Sequence, residues 1–199
     1  RAGEDNADSS PFVAAPIPQS AFPNSLASPS AVAYIMSQKF VEGLPLYRQE
    51  ASLQRLGFEL SRQTMANWML AGADWLEQIT RRMKTRLLQR DVLHADETPL
   101  QVLKEEGRKA QTTSYIWLYR SGRDGPPIVL YDYQQTRAAE HPSRYLKGFA
   151  GYLHVDGYQV YEKLPGITAV GCWAHARRNF VDALSVLSPM AQKKGDTAA

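Results

Sequence analysis

The chain has 199 residues, of which 44% are apolar and 10% aromatic, enough for one domain or two small ones around a sizeable core. Its formal net charge of +3 and isoelectric point near 9.0 suit contact with nucleic acid but are shared by many ordinary enzymes. Cys172 is the only cysteine, which excludes an internal disulfide and favours a reducing, cytoplasmic setting, and no apolar run reaches membrane-spanning length.

Residues 1–30 carry Pro11, Pro16, Pro18, Pro23 and Pro29 among many Ser and Ala, and read as an extended arm or linker. The chain opens on Arg1 rather than Met and closes in the polar "AQKKGDTAA", as expected of a fragment of something longer. Order is expected from "SPSAVAYIMSQKFV", where Ser28 or Ser30 caps a helix with Val32, Ile35, Met36 and Phe40 on one face. Gly43 ends that helix. Pro45 suits the first turn of a second, "PLYRQEASLQRL", which Gly57 terminates. Ser61 then caps a third, with Met65, Trp68, Met69, Trp75, Leu76, Ile79, Met83 and Leu87 at helical spacing, reaching about residue 88 with a possible break near Gly72.

After Arg90 the period changes. "DVLHADETPLQVL", "TTSYIWLYRSG" and "PPIVLYDYQ" are β-rich runs divided by Gly and charged turns, and predict consecutive hairpins. A short helix in "AAEHPSRYLKGF" precedes a fourth strand, "GYLHVDG". A helical turn in "YQVYEKL", a fifth strand in "ITAVGCW" and a helix in "HARRNFVDALSVL", with Phe180, Leu184 and Leu187 inward, complete the order βββαβαβα.

One phrase occurs twice. "LHADET" at 93–98 and "LHVDGY" at 153–158 each end an apolar run in His, one residue, then Asp. If the two runs are neighbouring parallel strands, the carboxylates of Asp96 and Asp156 lie about one strand spacing apart, roughly 5 Å. Two like charges that close raise one pKa unless a divalent cation sits between them. Hard oxygen donors with open positions favour Mg²⁺ or Mn²⁺, and a pair of such ions promotes phosphoryl transfer. Against this, Asp96 can cap a turn with Thr98, and Asp156 opens an Asp-Gly turn. Singly the turn reading is the stronger; the pair on this strand order reverses the balance.

His94 and His154 share the strand face of the two aspartates, and packing beside them is favoured over ligation. Glu97 points to the opposite face. "CWAH" at 172–175 has metal-like spacing without a second half, a weak zinc signal. Arg177 and Arg178 open the last helix, either toward a DNA backbone or toward solvent.

The segment "LYRQEASLQRLGFELSRQTMANWM" has the layout of a helix-turn-helix, whose second helix enters the major groove with its early residues, here Arg62, Gln63, Thr64 and Asn67. Gln and Asn suit adenine, and Arg suits guanine or phosphate. Any three-helix bundle contains such a turn, so the pattern alone divides evenly between the two readings. "RRMKTRLLQR" at 81–90 adds Arg81, Arg82, Lys84 and Arg86 with no acid, either a phosphate footprint or a solvated helix face.

These residues resemble the insertion-sequence-66 family of transposases, within the retroviral-integrase-like, ribonuclease-H-fold group. The matching phrases are "GLPLYRQE", "LSRQTMANWM", "ADETPLQVL", "EHPSRYLKGFAGYLHVDGYQVYEKL" and "GCWAHARRNFVDA", from about residue 28 onward. The resemblance implies a ribonuclease-H-like core whose first catalytic Asp closes strand one and whose second follows strand four, at Asp96 and Asp156. It implies a third acid, a Glu on a helix beyond residue 199; neither Asp182 nor Glu162 stands at the matching place. It also implies an upstream cysteine-rich zinc module, to which nothing here corresponds.

The expected architecture is thus α/β: a Pro-rich arm at 1–30, a helical DNA-binding domain at 31–90, and a C-terminally incomplete ribonuclease-H-like domain at 91–199. The expected activity is strand cleavage and transfer on double-stranded DNA, transposon ends and target alike, with two Mg²⁺ or Mn²⁺ ions in the complete enzyme and little or no activity in the fragment alone. The resemblance further implies a homo-oligomer on DNA, helper proteins of the element, and a bacterial, cytoplasmic, nucleoid-associated location. A non-catalytic DNA-binding or assembly fragment and a stand-alone metal-dependent nuclease are the alternatives.

Overall fold

The computed structural model describes residue 15 and residues 19–185. The chain divides into two compact units, 1–77 and 78–199.

The first unit is helical. Helix α1 spans Pro29–Phe40, with Pro at its first position and the Ser28 hydroxyl accepting from the Ala31 amide at 3.1 Å. That bond satisfies one of the amides a helix start leaves open. Ser28→Ala should therefore lower stability by about 1 kcal/mol, read as a shifted midpoint in chemical denaturation.

Helix α2, Leu46–Arg55, begins after Pro45, which stands just outside the helix rather than in its first turn. The buried Gln49 amide donates to the carbonyls of Ile35 and Leu44, tying α2 to the end of α1. Helix α3, Arg62–Leu87, runs unbroken through Gly72. A Cβ there would meet Val32 Cγ1 at 3.1 Å and Met36 Sδ at 3.2 Å, so Gly72 provides close approach between α3 and α1 rather than a break.

The apolar stripe of α3 is less buried than its periodicity predicts. Met65 and Leu87 are buried, whereas Trp75, Leu76 and Ile79 are exposed, as is Phe40 at the end of α1. Helical spacing reports which residues share a face; it does not report whether anything covers that face.

The second unit is a mixed α/β layer. Strands β1 (Val92–Gln101), β2 (Thr113–Ser121) and β3 (Val129–Gln134) are followed by α4 (Glu140–Tyr145), β4 (Gly151–Val155), α5 (Gln159–Glu162), β5 (Ile167–Gly171) and α6 (Trp173–Ser185). The five strands form one sheet in the order β3-β2-β1-β4-β5. The pairs β1–β2 and β2–β3 are antiparallel, and β1–β4 and β4–β5 are parallel. The βββαβαβα order is present, and the mixed sheet is compatible with a ribonuclease-H-like fold.

One face of the sheet carries the core. Leu93 and Ala95 of β1, Trp117 and Tyr119 of β2, Leu130 of β3, and Leu153 and Val155 of β4 pack with Leu146, Phe149, Tyr161 and Leu164. Tyr119 stacks on Tyr145 at 3.9 Å between ring centres, and burial raises the Tyr145 hydroxyl pKa to about 12. The alternation of a strand sends the intervening residues, His94 and Asp96 among them, to the other face. Gly151 opens β4 where a Cβ would lie 2.5 Å from the Asp91 carbonyl oxygen, which lets β4 run close beside β1.

On α6 the expectation of an inward apolar face is not met: Phe180 and Leu184 are exposed, and Leu187 lies outside the described residues. No helix among the described residues is long and apolar enough to cross a membrane.

Candidate active site

The parallel pairing of β1 and β4 sets Leu93 beside Leu153 and His94 beside His154. Two residues further on stand Asp96 and Asp156, in equivalent positions on neighbouring strands. Strand β1 continues past Asp96 to Gln101 along β2, so Asp96 lies within its strand rather than closing it. Asp156 directly follows β4.

Each aspartate is held by one oxygen. Asp96 Oδ1 accepts from the Glu97 amide, and Asp156 Oδ1 accepts from the Tyr158 amide, both at 2.9 Å. Gly157, between Asp156 and Tyr158, has φ +96°, which a glycine adopts without steric cost. The turn bonding expected of a lone Asp is therefore present at Asp156, whereas Asp96 lies within β1 and bonds the next amide rather than capping a turn with Thr98. In both cases the second carboxylate oxygen has no hydrogen-bond partner among the described residues.

Both aspartates line a small cleft with His94, His154, Arg120, Cys172 and His175. His94 Nδ1 and His154 Nδ1 are 3.0 Å apart, so one donates and the other accepts. Burial, with His154 and Arg120 nearby, lowers the His94 pKa below the usual histidine value, which disfavours the charged form of that ring. His175 Nδ1 is buried without a hydrogen-bond partner among the described residues. Asp156 also lines a second cavity with Arg178, Trp173 and Asn179 at the start of α6. Arg177 is exposed.

The donor set fits part of a divalent-cation site. Two carboxylates on one face, each with an uncommitted oxygen, are suited to Mg²⁺ or Mn²⁺. Among the described residues no group of three or more His, Cys, Asp and Glu is arranged to hold a metal. The "CWAH" segment does not complete a zinc site by that same criterion.

Glu97 faces away, as its position on the strand requires. Its side chain is only 1% exposed and pairs with Arg137. Arg137 Nε donates to Glu97 Oε1 at 2.7 Å, and the Tyr161 hydroxyl donates to Oε2 at 2.7 Å. Burial and the Glu97 charge push the Tyr161 hydroxyl above the usual tyrosine range, so it remains a donor.

Residues weighed for DNA contact fall on both units. Arg62, Gln63 and Asn67 are exposed on the first turns of α3. Arg62 pairs with Glu50 at 3.9 Å, Gln63 Nε2 donates to Asn67 Oδ1, and the Thr64 hydroxyl shares a bond with Ser61. Further along, Arg81, Arg82 and Arg86 are exposed, while the Lys84 ammonium sits 3.8 Å from the centre of the Tyr145 ring.

Arg120 and Arg137 carry no motif or periodicity that marks them in the sequence. Only the strand register puts Arg120 opposite His94, and a loop arginine such as Arg137 carries no local signal of its buried partner.

Comparison with known proteins decides the family. The family model described as "Transposase IS66 family" matches residues 24–197. The chain belongs to the IS66 family of transposases. It is 38% identical over 166 residues to the uncharacterized protein y4qI of Sinorhizobium fredii (strain NBRC 101917 / NGR234), covering 76% of this chain and 31% of that protein. It is 31% identical over 186 residues to the uncharacterized protein y4jD of the same strain, covering 86% and 36%. The chain thus spans about a third of the length of the curated relatives it matches. No solved structure matches it. Within the IS66 match lie both aspartates, the histidine pair and the whole sheet.

Proposed function

We propose that residues 91–199 are part of the DNA cleavage and strand-transfer core of an IS66 transposase, with Asp96 and Asp156 as two of its metal ligands. The observation that carries this reading is the β1–β4 register, which advances both aspartates equally beyond the His94–His154 pair. Mg²⁺ or Mn²⁺, two ions in the complete enzyme, supplies charge neutralisation at the attacking and leaving oxygens of a phosphodiester. The carboxylates of Asp96 and Asp156 line one cleft, and the backbone amides of Glu97 and Tyr158 orient them by bonding one oxygen of each. In the first step a water oxygen bonds to phosphorus and loses a proton to solvent while the bond to the 3′ oxygen breaks and that oxygen takes up a proton from solvent. The freed 3′-OH then attacks a target phosphodiester in the same way, so that one P–O bond forms as another breaks. No side chain becomes covalently attached to DNA.

The partner in this reading is double-stranded DNA. Residues 31–90, through Arg62, Gln63, Thr64 and Asn67, act as a DNA-binding helical segment, and Arg177 and Arg178 contact the DNA backbone, a role supported by the cavity that Arg178 shares with Asp156. Assembly as a homo-oligomer on DNA, and helper proteins of the element, accompany the same reading, as does a nucleoid-associated, cytoplasmic location.

Mn²⁺ titration of this chain, followed by electron paramagnetic resonance, tests the ligand assignment. Two carboxylates alone should hold one ion weakly, and strand cleavage by the chain on its own should be slight. Asp96→Asn and Asp156→Asn should each abolish that binding. Parent-like Mn²⁺ affinity in both variants would overturn the assignment.

A further inference from the structure

We propose that Arg137 is the positioning residue that sets the separation of Asp96 and Asp156, and so governs how tightly this site holds a divalent cation. This rests on the reading of the two aspartates as ligands.

The need for such a residue comes from the sheet. Backbone pairing between β1 and β4 ends at His94–His154, two residues before each aspartate. Beyond that point β1 is held to β2, and the end of β4 is held to β5, with Cys172 donating to the Val155 carbonyl at 2.9 Å. Among the described residues no β1–β4 pair lies beyond His94–His154, so the two aspartates themselves are not paired across the strands. A metal site with unfastened ligands loses affinity, because binding must then restrict them.

Arg137 supplies the missing link on the other side of the sheet. The amide that holds Asp96 belongs to Glu97, and the amide that holds Asp156 belongs to Tyr158. Arg137 engages both of those residues by their side chains. Its guanidinium bonds Glu97 through Nε and Nη2. The same guanidinium lies 4.0 Å from the centre of the Tyr158 ring, and the Tyr158 hydroxyl donates to the Arg137 carbonyl at 2.9 Å. One arginine thus joins the two residues whose amides orient the two carboxylates.

The link is stiff. Glu97 is buried, and its second oxygen accepts from Tyr161, a fully buried core residue. The loop that carries Arg137 is fastened at Thr136, whose hydroxyl shares a 2.6 Å bond with the buried His141. A planar fork that stacks and bonds at once is a geometry lysine does not reproduce.

The test must separate positioning from simple support of the fold. Arg137→Met alone strands the buried Glu97 carboxylate, and a fall in thermal midpoint is expected with it. Glu97→Gln combined with Arg137→Met removes both charges and should recover most of the parent midpoint. In that double variant Mn²⁺ affinity, read by paramagnetic resonance on the same chain, should remain roughly tenfold weaker than the parent's, the usual scale for losing an outer partner of a metal ligand. Arg137→Lys should fall between parent and double variant. Recovery of Mn²⁺ affinity together with the midpoint would reduce Arg137 to a structural partner and overturn the proposal. Asp96→Asn serves as the reference: lost binding there with parent affinity in the double variant overturns the role of Arg137 alone. Retained binding in Asp96→Asn overturns the ligand reading, and this proposal with it.

Discussion

Asp96→Asn, placed in a protein of full family length that carries this domain, should slow metal-dependent DNA strand cleavage by at least about a hundredfold, the scale of losing one charge-stabilising contact at a reacting oxygen. Asparagine preserves the shape of the side chain and can still accept from the Glu97 amide, so the β1 backbone should be undisturbed. What it removes is the negative charge of a carboxylate that lines the cleft. Asp156→Asn should behave alike, for the same reason on the neighbouring strand. Because both aspartates serve one site, the double variant should be no slower than about the worse single variant. Duplex binding should change little, since the loss falls on the chemical step. Asp124→Asn, in the exposed turn between β2 and β3, is the control and should cleave at the parent rate. A cleavage rate unchanged in either Asp96→Asn or Asp156→Asn would remove the aspartates from the reaction.

The legible parts of this chain were those with local periodicity. Strand alternation in "DVLHADETPLQVL" places Leu93 and Ala95 in the core and His94 and Asp96 on the opposite face, and the burial of β1 follows that division. The repeated His-x-Asp phrase marked two strands that do lie side by side. It gave no sign that the ladder between them stops at the histidines, because the end of a pairing depends on the partner strand's turn at Gly157. The same limit applies to Glu97. Its place on the far face follows from the period of two, yet Arg137, forty residues on, becomes its partner only through the β3–α4 connection. On α3 the period was right and the burial was not, since Trp75, Leu76 and Ile79 share a face that no described side chain fully covers. Sequence period fixes direction, whereas long-range closure decides contact.

The cationic stretch at 81–90 divides in the same manner, and that division carries the second large effect. Arg82 and Arg86 stand one helical turn apart and are exposed. Lys84 lies between them in sequence but projects elsewhere, its ammonium seated over the Tyr145 ring. Burial lowers the Lys84 pKa, Arg144 adds to that, and Asp132 opposes it. An ammonium engaged with a ring and partly withdrawn from water releases no DNA counterion when duplex binds; a guanidinium in solvent that meets a phosphate does. Arg82→Gln with Arg86→Gln should therefore flatten the plot of log affinity against log salt by about two units, near 0.9 per lost phosphate contact. Lys84→Gln should leave that slope within about a tenth of the parent's while lowering the thermal midpoint, as its packing on Tyr145 is lost. Fluorescence anisotropy of a labelled duplex, titrated with the whole chain from 50 to 200 mM salt, spans a range over which such contacts change affinity by orders of magnitude. Equal flattening by Lys84→Gln and by Arg82→Gln would show that DNA meets the helix on the Tyr145 side. An unchanged slope in the arginine pair would leave the stretch a solvated face, with phosphate contact to be sought at Arg62, Arg177 and Arg178.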